Sequence, residues 1–101
     1  MALIQAYNPS EGGSGGQTLA WERDRAVETD PFSAGYAIAL SVTPLDENSI
    51  LVWSQGLILD TDDYSYNSGT NSIIINFSGD PSTDTSDGEW IFSVIYPYEV
   101  V

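Results

Sequence analysis

Near the carboxyl end, Trp90, Phe92, Val94, Tyr96 and Tyr98 alternate with Ile91, Ser93 and Ile95. That period of two fits a β-strand and no helix. Tyr36, Ile38, Leu40 and Val42 alternate in the same way with Ala37, Ala39 and Ser41. The apolar runs Ile50-Leu51-Val52-Trp53 and Leu57-Ile58-Leu59 are split by Ser54-Gln55-Gly56, which predicts a hairpin. Ile73-Ile74-Ile75 is a β-branched run suited to a strand covered on both faces. Pro97 is expected to end the pairing of the last strand, because it has no N–H to give.

Between these runs lie segments that read as connections: Thr43 to Asn48, the acidic Asp60 to Asp63 leading to Tyr64-Ser65-Tyr66, Asn67 to Asn71, and the long polar stretch from Ser78 to Gly88. Thr18 to Val27 reads as an edge strand, with a short helix as the alternative. In the strand reading Leu19, Trp21 and Val27 share one face with Arg23 and Arg25. The fold class this implies is all-β: a small antiparallel β-sandwich, Ig-like or jelly-roll-like, with an extended amino-terminal arm.

The arm follows from Asn8-Pro9-Ser10-Glu11-Gly12-Gly13-Ser14-Gly15-Gly16, a run of turn and linker residues that builds no core. Residues 1–16 are therefore read as arm and linker, and 17–101 as the β-sandwich domain. Leu3, Ile4 and Tyr7 leave two readings open for the arm, a frayed tail or a segment docked on a neighbour. At 101 residues the chain has room for one core, whose modest burial makes oligomerisation an expectation. The amino terminus lacks the charged and long apolar regions of a secretory signal, and no apolar run is long enough to span a bilayer, so the expected site of synthesis is a cytoplasm.

Composition narrows function. The chain has no Cys, no His and no Lys, which removes thiol nucleophiles, disulfides, the commonest general base and metal ligand, and Schiff-base chemistry. Fifteen acids stand against Arg23 and Arg25, for a formal net charge of −13. Nucleic acid and anionic membranes are improbable partners for such a chain, since binding them depends on Lys and Arg. Most of the acids read as solubilising charges that discourage edge-to-edge pairing.

From about Ala39 to Tyr98 the features run in this order: Ile50-Leu51-Val52-Trp53, the Gln55-Gly56 turn, Leu57-Ile58-Leu59, Asp63-Tyr64, Gly69, Ile73-Ile74-Ile75-Asn76-Phe77, the loop from Asp80 to Gly88, and Trp90 to Tyr96. This order resembles a β-sandwich module of tailed-bacteriophage virion structural proteins, of the decoration, neck and tail-fibre type. Gln55 stands where the module has Asn, and the loop before Trp90 is longer than its usual short connection. The resemblance implies a structural part of a virion without fixing its place on the particle.

Candidate sites are weighed against ordinary packing. Asp60, Asp62 and Asp63 offer oxygen ligands that could hold calcium, yet Tyr66 and the lack of a closing Glu break the EF-hand pattern; Asp84, Asp87 and Glu89 form a second acidic loop. Solvated turn acids are the default reading of both, so no metal or other cofactor is expected. Paired carboxylates for glycoside hydrolysis would need a cleft that so small a domain has little room for. Leu3, Ile4, Tyr7, Trp21, Trp53, Tyr96 and Tyr98 are the candidate interface residues, with core packing as the competing role of the aromatics and sugar stacking as a third.

The expectation is a non-enzymatic phage capsid decoration or cement protein, partnering itself as a homotrimer and other virion proteins such as the major capsid protein. A neck, tail or fibre-attachment subunit is the alternative within the structural class, and a carbohydrate-binding adhesion module the alternative outside it.

Overall fold

The computed structural model describes residues 18–100, so the arm and its Leu3, Ile4 and Tyr7 lie outside the described residues. Seven strands form two antiparallel sheets: β1 (Thr18–Glu28), β2 (Tyr36–Ala39), β3 (Leu51–Ser54), β4 (Leu57–Ile58), β5 (Tyr64–Asn67), β6 (Ser72–Ile75) and β7 (Trp90–Val100). Sheet order is β1-β7-β3-β4 in one and β2-β6-β5 in the other. The two stack face to face, and the enclosed core draws on both: Ile38, Leu40, Ile73 and Ile75 from the three-stranded side, Val52, Phe92, Val94 and Tyr96 from the four-stranded side. The all-β sandwich read from the alternation is the architecture found.

β7 organises the larger sheet. Its even-numbered Phe92, Val94 and Tyr96 are fully buried, while Ile91, Ser93 and Ile95 point the other way and stay partly exposed. Pairing does not stop at Pro97, as the missing N–H suggested. Trp21 lies opposite Pro97 and the ladder runs on to Thr18–Val100. The Pro97 carbonyl accepts from Leu45 N at 2.9 Å, so the polar groups of residue 97 face away from β1 and the absent donor removes no bond of that ladder.

The β3–β4 connection is a two-residue turn, with Ser54 opposite Leu57 and both central residues left-handed, Gln55 at φ 53° and Gly56 at φ 82°. This is the primed geometry that matches strand twist. A glutamine is an unusual occupant, and its side chain explains it. Gln55 N donates to Ile91 O at 2.9 Å, and Ile91 N donates back to Gln55 Oε1 at 2.6 Å, so the amide continues the β3–β7 ladder one step past the strand's end.

Two readings need adjustment. Ile73 and Ile75 are fully buried, but Ile74 is only half-buried, because nothing else among the described residues covers the outer face of the three-stranded sheet. The stretch from Ser78 to Gly88 is not all loop: Asp80 caps one helical turn, α1 (Pro81–Asp84), accepting from Ser82 N, with Pro81 in the first helical position and buried. One end of the sandwich is closed by Phe32, Tyr36, Phe77, Trp90 and Phe92, with ring centroids 5.2–6.4 Å apart. The other end is tied by Asn71, whose amide donates to Val42 O at 3.1 Å while its oxygen accepts from Tyr66 Oη at 2.7 Å.

Candidate functional site

Cross-strand partners share a face of a sheet, so the register places the outward side chains. Arg23 lies opposite Ile95, Arg25 opposite Ser93, and Val27 opposite Ile91. Across β7, Leu51 faces Ile95 and Trp53 faces Ser93, and Trp53 in turn faces Ile58 of β4. All of these turn away from the buried core residues of the same strands. The result is a broad apolar face on the outside of the four-stranded sheet. Among the described residues eight large apolar side chains are exposed, and five of them, Leu19, Trp21, Val27, Leu51 and Ile58, sit here. Single exposed apolar residues are ordinary, whereas a set gathered on one face is the unusual feature of this surface.

The face is not flat. Ser93 is the one short side chain in its row, between Arg25 and Trp53, and it leaves a depression of about 540 Å³. Ile91 and Ile95 flank Ser93 along the floor, Trp53 and Gln55 form one wall, and Arg23 and Arg25 form the other. Both basic residues of a chain of net charge −13 therefore border the same hollow. Arg23 Nη2 donates to Ser93 Oγ at 3.5 Å, a long contact that leaves the guanidinium mostly unspent.

The polar inventory facing the hollow is small. Gln55 spends its oxygen on Ile91 N and its Nε2 on Glu89 O at 3.4 Å. Trp53 is half-buried and its Nε1 is enclosed without a partner. The Ser93 hydroxyl and the two guanidiniums remain as the groups able to bind something polar. Chemically the hollow suits an apolar side chain with negative charge beside it.

The sequence-named interface residues separate on the structure. Trp21 and Trp53 belong to this face. Tyr98 is half-buried, on the β7 face that turns toward the core. Tyr96 is a correction: it is fully buried in the chain's own core, with its hydroxyl bonded to Asp24, and so offers nothing to a partner. Leu51, Ile58, Ile91 and Ile95 were missed, because the period of two marks both faces of β7 as apolar and does not say which one is covered. The signal that could have found the face was the pair of arginines aligned with Leu19, Trp21 and Val27.

The acidic loops do not gather into a site. Asp63 N donates to Asp60 O within a 3₁₀ turn, and Asp63 O accepts from Asn76 N. Asp84 Oδ2 accepts from Asp80 N, and Asp87 Oδ1 from Glu89 N. No three acidic side chains among the described residues come together around a point.

Compared with known proteins, the chain matches no family model, no curated protein and no solved structure.

Proposed function

We propose that this chain is an assembly subunit that docks through the outer face of its four-stranded sheet, and that the assembly is a virion, with the chain serving as a capsid decoration or cement protein. The observation that carries the docking part is the contiguous apolar face with its arginine-walled hollow. Covering such a face contributes roughly 25 cal/mol per Å² of apolar area removed from water, offset by the entropy of association. Reinforcement of a shell needs this kind of contact and no chemistry. The virion part is supported by the order of sequence features from Ala39 to Tyr98 that resembles phage structural modules. A neck or tail position is separated from a capsid one by copy number, hundreds per particle against a dozen or fewer.

The glycan-binding alternative has less support. Sugar sites combine an aromatic platform with several hydrogen-bonding side chains, whereas here the Gln55 amide is spent on Ile91 and Glu89 and the Trp53 N–H is enclosed.

The test is particle incorporation. Particles banded from infected cells are expected to carry the chain in hundreds of copies, and Ile95→Asp, which places a charge in the floor of the hollow, is expected to leave the chain folded but absent from particles. Recovery of the wild-type chain entirely outside particles would overturn the virion reading, and undiminished incorporation of Ile95→Asp would overturn the docking face.

A further inference from the structure

We infer that the hollow receives a second copy of this chain, through the turn that carries Leu45, Asp46 and Glu47. The inference rests on the outer face being a docking surface and names what docks there.

Charge selects the occupant. Arg23 and Arg25 stand two residues apart on a strand, so their side chains leave the same face about 7 Å apart. Covering them with a neutral apolar surface would strip two charges of water without compensation, which costs more than the apolar contact returns. The occupant must therefore bring carboxylates. From Ala26 to Val101 the chain has acids and no base, so another copy meets that requirement with almost any surface except this one. Two copies packed outer face to outer face meet it poorly, since the register gives the face one acid, Glu99, opposite Leu19 at the far end of β1.

Shape selects the segment. The hollow is lined by Ile91, Ile95 and Trp53 and needs an apolar knob between its cationic and aromatic walls. Leu45 is exposed, and the two residues after it, Asp46 and Glu47, are exposed acids. The turn that presents them is held in place: Leu45 N donates to Pro97 O at 2.9 Å, Asn48 N to Asp46 Oδ1 at 2.9 Å, and Ser49 N and Oγ to Asp46 O at 3.0 and 2.6 Å. A knob already fixed in its bound shape loses little entropy on docking. Leu45 does not line the hollow of its own chain, so knob and socket meet only between copies. Such a contact is heterologous: copies add head to tail and either close into a ring or run on.

Sedimentation of the purified full-length chain at physiological salt tests this. Wild type is expected to self-associate at about 100 μM, the strength of a small transient interface. Arg23→Glu with Arg25→Glu, and separately Leu45→Asn, are each expected to weaken association by at least about tenfold, as loss of a close charge pair or of a central anchor does. All three positions are exposed, and far-ultraviolet circular dichroism is expected to be unchanged. Adding Glu47→Arg to the arginine reversal is expected to recover association in part. A monomeric wild type, a reversal that associates as wild type does, or no recovery with Glu47→Arg would each overturn the inference. In any of those cases, loss of Ile95→Asp from particles would still leave the docking face standing, with a different protein as its occupant.

Discussion

The Tyr96 hydroxyl donates to Asp24 Oδ2 at 2.6 Å, joining the fully buried centre of β7 to the edge strand β1. The same carboxylate oxygen accepts from Ser41 N at 3.0 Å, and the same hydroxyl accepts from Val42 N at 3.3 Å. Two side chains thus hold the segment leaving β2 against the opposite sheet. Tyr96→Phe leaves Val42 N without its acceptor, and Asp24→Ala leaves a buried hydroxyl proton without one. Each is expected to cost about 1–3 kcal/mol. Because the two substitutions remove one shared bond, urea denaturation of the double variant is expected to show a smaller loss than the sum of the singles, by about 0.5–3 kcal/mol. Additive losses would show that the pair does not act as a unit.

Three tyrosines are expected to make stability fall at alkaline pH. Burial pushes the Tyr96 hydroxyl above its ordinary value of 10.0, with the bond to Asp24 adding to the rise and those to Ser41 and Val42 opposing it. Burial likewise raises Tyr36, with Glu28 beside it, and Tyr64, with Asp60 beside it. A raised value means that the folded chain keeps protons the unfolded chain has lost, so stability is fully present below about pH 10 and falls as pH climbs toward the folded values. The chain has no Lys, Cys or His, so between about pH 8.5 and 11.5 the side chains that titrate are tyrosines. Melting temperature is expected to hold at pH 8.5 and drop steadily above 10, with Tyr96→Phe giving a shallower drop. A flat profile through pH 11.5 would contradict the assignment.

Two indoles in the same sheet are expected to respond differently to the same substitution. Trp90 Nε1 donates to Ser54 Oγ at 2.7 Å, and Ser54 is buried, so Trp90→Phe strands a hydroxyl inside the core and is expected to cost about 1–3 kcal/mol beyond the lost packing. The Trp53 N–H has no partner to lose. Trp53→Phe removes an enclosed donor along with some contact area, and is expected to change stability by less than Trp90→Phe. Guanidinium denaturation of the two variants side by side decides the point, and a larger loss at Trp53 would mean that its indole is bonded in solution.

These differences also mark where the chain can be read without a structure. β2 and β7 were legible because each strand faces a core on one side, so burial writes a period of two from Tyr36 to Val42 and from Trp90 to Tyr98. The exposed apolar face was not legible from β7 itself, since Ile91 and Ile95 look as apolar as Phe92 and Val94. What covers one set and not the other is the pairing of the two sheets, a fact carried by residues far away in the chain. The Gln55 turn was legible as a turn, but its tolerance of glutamine depends on Ile91, 36 positions on. Pro97 misled for a related reason. Whether a missing N–H matters depends on which neighbour the residue points at, and Leu45 rather than β1 is that neighbour.

The closest approach in the aromatic end of the sandwich gives the sharpest test of packing. Phe32 and Gly79 exchange backbone hydrogen bonds, Phe32 N to Gly79 O at 2.9 Å and Gly79 N to Phe32 O at 3.0 Å, bridging the segment between β1 and β2 to the one that follows β6. A Cβ at position 79 would stand 2.7 Å from Phe32 Cζ and 2.8 Å from Trp90 Cζ3. Neither ring can swing clear, because Phe32 is packed against Tyr36, Phe77, Trp90 and Phe92, and Trp90 is anchored by Ser54. Gly79→Ala is therefore expected to destabilise by about 1–3 kcal/mol, the usual cost of one methyl too many in a filled core. For a domain of this size each kcal/mol lowers the melting temperature by roughly 4–8 °C. Phe32→Leu removes the ring atoms that the methyl meets. Combined with Gly79→Ala it is expected to lose less than the two single changes summed, since the second change makes room for the first. If Gly79→Ala melted with the wild type, the two loops could not be held as closely as the bridge between them requires.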